Sequence, residues 1–155
     1  MNNVLRVCDA ESIRRCFPVM VQLRPHLNEA CFCEQVRRQM ESQDYHLVAL
    51  EHDGTIVAVA GYRFAETLAW GRYIYVDDLI ADEACRGKGY GGQLLDWLVD
   101  EVARKGCGAL HLDSGVQRFA AHRFYLGKGM DVTCRHFALD LPTPATESQR
   151  HLSAS

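Results

Sequence analysis

The chain has 155 residues, 48% of them hydrophobic and 24% charged, with a formal net charge of −3. This balance predicts one globular domain and excludes a largely disordered chain. No apolar run approaches the roughly 20 residues of a membrane span, the first residues lack a signal-peptide pattern, and a basic nucleic-acid footprint is absent; the expectation is a cytoplasmic protein with neither membrane nor nucleic acid as partner.

Val4 to Val7 reads as an opening strand, after which Asp9 can cap a helix. Ile13, Cys16, Phe17 and Met20 recur at helical spacing until Arg24-Pro25 stops them, and Asn28 can cap a second helix carrying Phe32, Val36 and Met40 on one stripe. From Tyr45 the period changes. Tyr45 to Glu51 and Ile56 to Phe64 read as strands around an Asp53-Gly54 turn, apolar on both faces as in a sheet covered on two sides. After a connection from Glu66 to Gly71, Arg72 to Ala81 is the next strand. Leu94, Leu95, Leu98, Val99 and Val102 then mark the clearest helix, with Asp100/Arg104 and Glu101/Lys105 expected as outward ion pairs and Gly106 as its stop. Ala109 to Asp113 reads as a strand, Gln117 to Lys128 as a helix and Asp131 to Leu141 as a final extended strand. The expected order, βααβββαβαβ, gives a mixed α/β fold: one mixed sheet with helices on both faces, in a domain over residues 1–141 followed by a frayed tail at 142–155.

The seven cysteines are odd in number and lack CxxC spacing, so reduced thiols are expected. Cys31 and Cys33 beside His26 or His46 do not match the usual zinc spacing, and no metal is expected.

The most informative segment runs from Asp77-Asp78-Leu79-Ile80-Ala81 through a polar bend to Arg86-Gly87-Lys88-Gly89-Tyr90-Gly91-Gly92 and enters the strong helix. Glycines let backbone approach a ligand closely, and a helix N-terminus offers unpaired N–H groups and a positive dipole end. Arg86 and Lys88 add positive charge, so the segment suits a phosphate or pyrophosphate. Two registers compete for these glycines. Gly87-x-Gly89-x-x-Gly92 satisfies the dinucleotide pattern, with Asp113 at the next strand end as the ribose-binding acid. Against it, a polar bend intervenes and about half the chain precedes the motif, whereas that fingerprint opens directly from a first strand.

The second register is Arg86-x-x-Gly89-x-Gly91. With the strand end before it and the helix after it, this resembles motif A of the GCN5-related N-acetyltransferases. Ala121-His122-Arg123-Phe124-Tyr125-Leu126-Gly127-Lys128-Gly129-Met130 is similar to motif B of the same family, in the right order with a strand between. Met130 stands where the family usually has Phe, and Arg118 where it often has Asn. The resemblance covers nearly all of Val4 to Leu141 and implies an acetyl-CoA-dependent N-acetyltransferase that needs no metal.

The resemblance also implies roles. Leu79, Ile80 and Ala81 would lie beside the pantetheine arm, and Arg86, Gly87, Lys88, Gly89, Tyr90, Gly91 and Gly92 would cradle the pyrophosphate, with Arg118, Ala121 and Phe124 as further coenzyme contacts. Tyr125 would stand near the sulfur as the proton donor to the departing thiolate, and a backbone N–H around Leu79 would polarise the thioester carbonyl. Asp77 and Asp78 are the leading acids for the acceptor; strand alternation sends them to opposite faces, so one at most addresses the acceptor directly. The expected partner is a small-molecule or peptide amine, and the family's habit of dimerising implies a homodimer without marking its surface. A catalytically inactive coenzyme-binding sensor is the rival of another class.

Overall fold

Side-chain caps open both of the first helices. The computed structural model describes residues 1–142, so all but the first residue of the expected tail lies outside the described residues. The chain divides into two compact units, Met1–Leu112 and Asp113–Ser155. In the first, β1 (Asn2–Val7) leads to α1 (Ala10–Leu23), whose first turn is capped by the Asp9 carboxylate accepting from Ser12 N–H at 2.9 Å. Asn28 caps α2 (Glu29–Ser42) in the same way, through Cys31 N–H at 2.9 Å. The strands β2 (Tyr45–His52), β3 (Thr55–Thr67) and β4 (Gly71–Ala81) follow, then a short 3-10 turn at Glu83–Cys85, α3 (Tyr90–Arg104) and β5 (Ala109–Leu112).

The sheet order is β1-β2-β3-β4-β5, antiparallel except for the parallel β4–β5 pair that flanks α3. Alternate residues of the buried strands serve opposite faces. Tyr45, Leu47 and Ala49 join Ile13, Cys16, Met20, Phe32 and Val36 in the core beneath α1 and α2. On α3, Leu94, Leu95 and Leu98 are fully buried, each contributing about 1.5–3 kcal/mol. Trp97 meets Tyr62 of β3 edge-on at 6.1 Å between centroids, which places α3 on the other face. A mixed α/β fold with helices on both faces of one sheet is therefore what the chain adopts.

Two local expectations need correction. Glu101 does not face solvent with Lys105: it is 0% exposed, accepting from Arg6 of β1 and Arg104. The apolar stripe of α3 passes close enough that a carboxylate on its margin is covered by Trp97 and the two arginines stacked over that ring, at 4.9 and 5.2 Å. The final strand also does not form. The second unit holds α4 (Phe119–Gly127), and residues 130–142 carry no regular secondary structure. Val132, Phe137 and Leu139 are 83%, 89% and 84% exposed. Their alternation changes phase across Arg135-His136, and His136 instead meets Asp113 at 3.3 Å, so no single face is offered to a sheet.

Candidate active site

The loop between β4 and α3 is held by α1. Gln22 donates to Asp82 Oδ1 at 3.1 Å and accepts from Glu83 N–H at 2.9 Å, while Asp82 N–H donates to Val57 O at 2.9 Å. Thus braced, the backbone turns through Gly87 at φ +83° and Gly89 at φ +78°, a left-handed region where a side chain is strained. Gly89 occupies the N-cap position of α3, and no side chain caps that helix. This contrasts with Asp9 and Asn28 on α1 and α2. The first intrahelical bond is Gln93 N–H to Gly89 O, so the N–H groups of Tyr90, Gly91 and Gly92 open the helix without an internal acceptor. Arg86 and Lys88 are exposed beside them, and Tyr90 is buried at 6% exposure.

Leu79, Ile80 and Ala81 close β4. Its pairing with β5 ends at Val76↔Leu112, whereas its pairing with β3 continues to Ala81. Over Asp77 to Ala81 the outer edge of β4 therefore has no strand partner among the described residues. An edge of this kind offers backbone donors and acceptors to an extended ligand.

At the start of that free edge the ladder slips. Tyr62 pairs with Val76 and Gly61 with Asp78, leaving Asp77 as an extra residue on β4. This bulge overturns the alternation expected for the two acids, because it brings both side chains to the face of α1 and α2. Arg63 donates to Asp77 through Nε at 2.9 Å and Nη2 at 2.5 Å. Arg24, at the C-terminus of α1, donates to Asp78 Oδ1 at 2.9 Å, and the Tyr45 hydroxyl donates to Asp78 Oδ2 at 2.9 Å. Gln43, at the C-terminus of α2, accepts from Arg63 Nη1 at 2.9 Å. Both acids are thus charge-paired.

Gly61 makes this possible. A Cβ there would lie 1.9 Å from the Tyr45 oxygen, so only glycine lets the ring cross β3 to reach Asp78. Burial first, and then the neighbouring Asp78 and Asp77 charges, push the Tyr45 phenol well above its ordinary 10.0. Burial also raises the Asp77 carboxyl above 3.8, with Arg63 pulling the other way and Asp78 adding to the rise. Asp77 and Arg63, with Gln43, Tyr73 and Tyr75, line an open hollow of about 640 Å³ on this face.

In the second unit, Arg118, Ala121 and Tyr125 follow one another at helical spacing along α4, with Phe124 beside Tyr125 at 5.2 Å between rings. Burial pushes the Tyr125 phenol above 10.0, against a smaller pull from Arg118, so it is a protonated donor at neutral pH. His122 Nε2 bonds Gly115 O at 2.8 Å, a structural role. The Ser114 hydroxyl is buried with no hydrogen-bond partner among the described residues. All seven cysteines are free thiols, and no cluster of metal-ligating groups occurs among the described residues.

Sequence reasoning located Asp77, Asp78 and the glycine loop but not Gln22, Arg24, Gln43, Tyr45, Gly61 or Arg63. One signal was available: a glycine inside a strand of buried residues marks a bulge or a close approach.

The family model described as the acetyltransferase (GNAT) family matches residues 10–130. An uncharacterized N-acetyltransferase of Bacillus subtilis (strain 168), YhdJ, is 31% identical over 128 residues, covering 83% of this chain and 90% of its own. Among solved structures, a transcriptional regulator from Bacillus halodurans C-125 superposes with a TM-score of 0.80 at 16% identity, covering 91% of this chain and 100% of that one. The aminoglycoside N-acetyltransferase AAC(6')-Iy, in complex with CoA, does so at 0.79 and 11% identity, with 92% and 96% covered. At these identities the structural likenesses speak for the fold. The dinucleotide reading falls with them, since the glycine motif follows the fourth strand of a largely antiparallel sheet. With both motifs inside the matched span, the chain belongs to the GNAT family of acetyltransferases.

Proposed function

We propose that the protein transfers the acetyl group of acetyl-CoA directly to a primary amine within a ternary complex. The observation that carries this reading is the uncapped, glycine-bracketed N-terminus of α3, one short loop after the free edge of β4. The space around Gly87 and Gly89 is open, since a Cβ at either would meet nothing within 4 Å, so a bulky anion can come up to the backbone there. Tyr90, Gly91 and Gly92 supply N–H donors and a positive dipole end, and Arg86 and Lys88 supply charge, the set a pyrophosphate needs.

Bound acetyl-CoA would supply an activated thioester. The chain's own part is to hold, orient and move protons. The free edge of β4 at Leu79 to Ala81 offers a backbone N–H for the developing oxyanion. Asp77 lines the hollow, attracts an ammonium and accepts its proton through water; its raised pKa makes it a better base than an ordinary aspartate. Asp78, with both oxygens engaged, keeps the bulge in place. Tyr125 assists the departing thiolate as a hydrogen-bond donor. A phenol is a weaker acid than a thiol, so this assistance is modest.

The test is release of free coenzyme A thiol from acetyl-CoA across a panel of amines. Turnover with amines and none without them is the expected result. Tight acetyl-CoA binding with no turnover on any amine would instead favour the sensor.

A further inference from the structure

The hollow on the α1/α2 face has a polar floor made of a single ion pair, Arg63–Asp77. Arg63 commits its Nε–H and one Nη2–H to Asp77 and one Nη1–H to Gln43. A guanidinium in that position keeps one N–H on each terminal nitrogen, a fork whose spacing matches the two oxygens of a carboxylate. Its side chain is 33% exposed, so the fork is reachable, and the Asp77 side chain is 16% exposed beside it. Tyr75 and Tyr73, one and two alternations back along β4 from Asp77, supply aromatic surface next to the pair.

Charge in this cluster is balanced, with Asp77 matched by Arg63 and Asp78 by Arg24. That balance discriminates between acceptors. A purely cationic amine drawn to Asp77 also approaches the Arg63 guanidinium, and the two like charges repel at short range. An acceptor that carries its own carboxylate next to the amine removes the conflict. Its ammonium takes the remaining lone pairs of Asp77, its carboxylate takes the fork of Arg63, and its dipole lies antiparallel to that of the ion pair. Neither protein–protein contact has to break.

We infer that the acceptor is a zwitterionic amine, a free amino acid with an apolar or aromatic side chain, selected over cationic amines by the Arg63–Asp77 pair on the floor of this hollow. The inference rests on the acetyl-transfer reading and narrows its acceptor. Arg63 acts as a specificity-determining residue that binds the acceptor carboxylate.

The experiment compares matched pairs that differ only in the carboxylate: phenylalanine with phenethylamine, methionine with 3-methylthiopropylamine, leucine with 3-methylbutylamine. For each pair, kcat/KM is measured by thiol release, and affinity by calorimetry in the presence of coenzyme A. At least one amino acid should exceed its decarboxylated partner by about 10-fold or more, as a charge-assisted bidentate contact permits. Arg63→Gln should collapse the ratio toward unity by raising the KM of the amino acid, while Arg63→Lys, which keeps the charge but loses the fork, should fall between. Thermal melts of both variants separate this loss from misfolding. Amines that match or outperform their amino acids in both measurements would overturn the inference and leave acetyl transfer to amines standing. An unchanged ratio in a folded Arg63→Gln would overturn it too. If no compound of either kind turns over or binds, both readings fail together.

Discussion

The role proposed for Tyr125 rests on its phenolic oxygen alone. Tyr125→Phe keeps the ring that lies against Phe124 and removes only the hydroxyl. Coenzyme affinity should barely move, while kcat with a working acceptor falls about 10²-fold, the low end for a proton donor because a thiolate is already a fair leaving group. Equal kcat in both proteins, with chemistry rate-limiting, removes Tyr125 from the mechanism. The second residue-scale prediction concerns Gly61. Because a Cβ there would meet the Tyr45 oxygen at 1.9 Å, Gly61→Ala must displace the ring and strip Asp78 of a hydrogen bond. The expected loss is about 1–3 kcal/mol of stability in denaturant titrations. In a Tyr45→Ala background the same substitution should cost a few tenths at most, since no ring remains to collide with it. Additive effects in that double-mutant cycle would show that the contact is not the cause.

At the scale of the element, α3 and its entry loop carry the coenzyme reading. Gly89 is both left-handed and the uncapped N-cap of the helix. Gly89→Val should lose roughly 1–2 kcal/mol of stability to backbone strain and, by its bulk, block the approach of a pyrophosphate. Acetyl-CoA should raise the Tm of the parent protein with ligand concentration, and the shift should vanish in the variant. A shift of the same size in folded Gly89→Val would place the coenzyme elsewhere. This element was legible in the sequence because its signal is local: a strand end, paired glycines and an amphipathic run fall within one stretch of chain. The acid cluster was only half legible. Asp77 and Asp78 stand out as neighbours, but their common orientation depends on a slip of register against β3, and their partners come from α1, β2 and β3, far away in sequence. The final strand was misread for the complementary reason. Its alternation is visible in Val132 and Cys134, yet a strand needs a partner edge in phase with it, which no residue pattern of its own can provide.

At the scale of the whole molecule, one buried carboxylate ties the first strand to the helix that carries the glycine loop. Glu101 of α3 accepts from Arg6 of β1 at 2.9 and 3.0 Å, across 95 positions of sequence, and from Arg104 Nε at 2.9 Å. Burial pushes this carboxyl up, but the hydrogen bonds of Arg104 and Arg6, with their charges, outweigh it and hold the group below its ordinary 4.5. A carboxyl lowered in the folded state lends stability that is complete above its unfolded pKa and disappears as pH falls through the folded one. Glu101→Gln should therefore cost about 2–4 kcal/mol at neutral pH, because two arginines lose a charged acceptor. Both guanidinia are half exposed and can turn to water, which keeps the loss at the lower end of the cost of breaking a buried pair. Below pH 4.5 the parent should surrender this advantage and the two Tm curves converge, while the other carboxylates titrate alike in both proteins. Curves that stay parallel from neutral pH into the acid limb would mean that the Glu101 charge adds nothing to the link between β1 and α3.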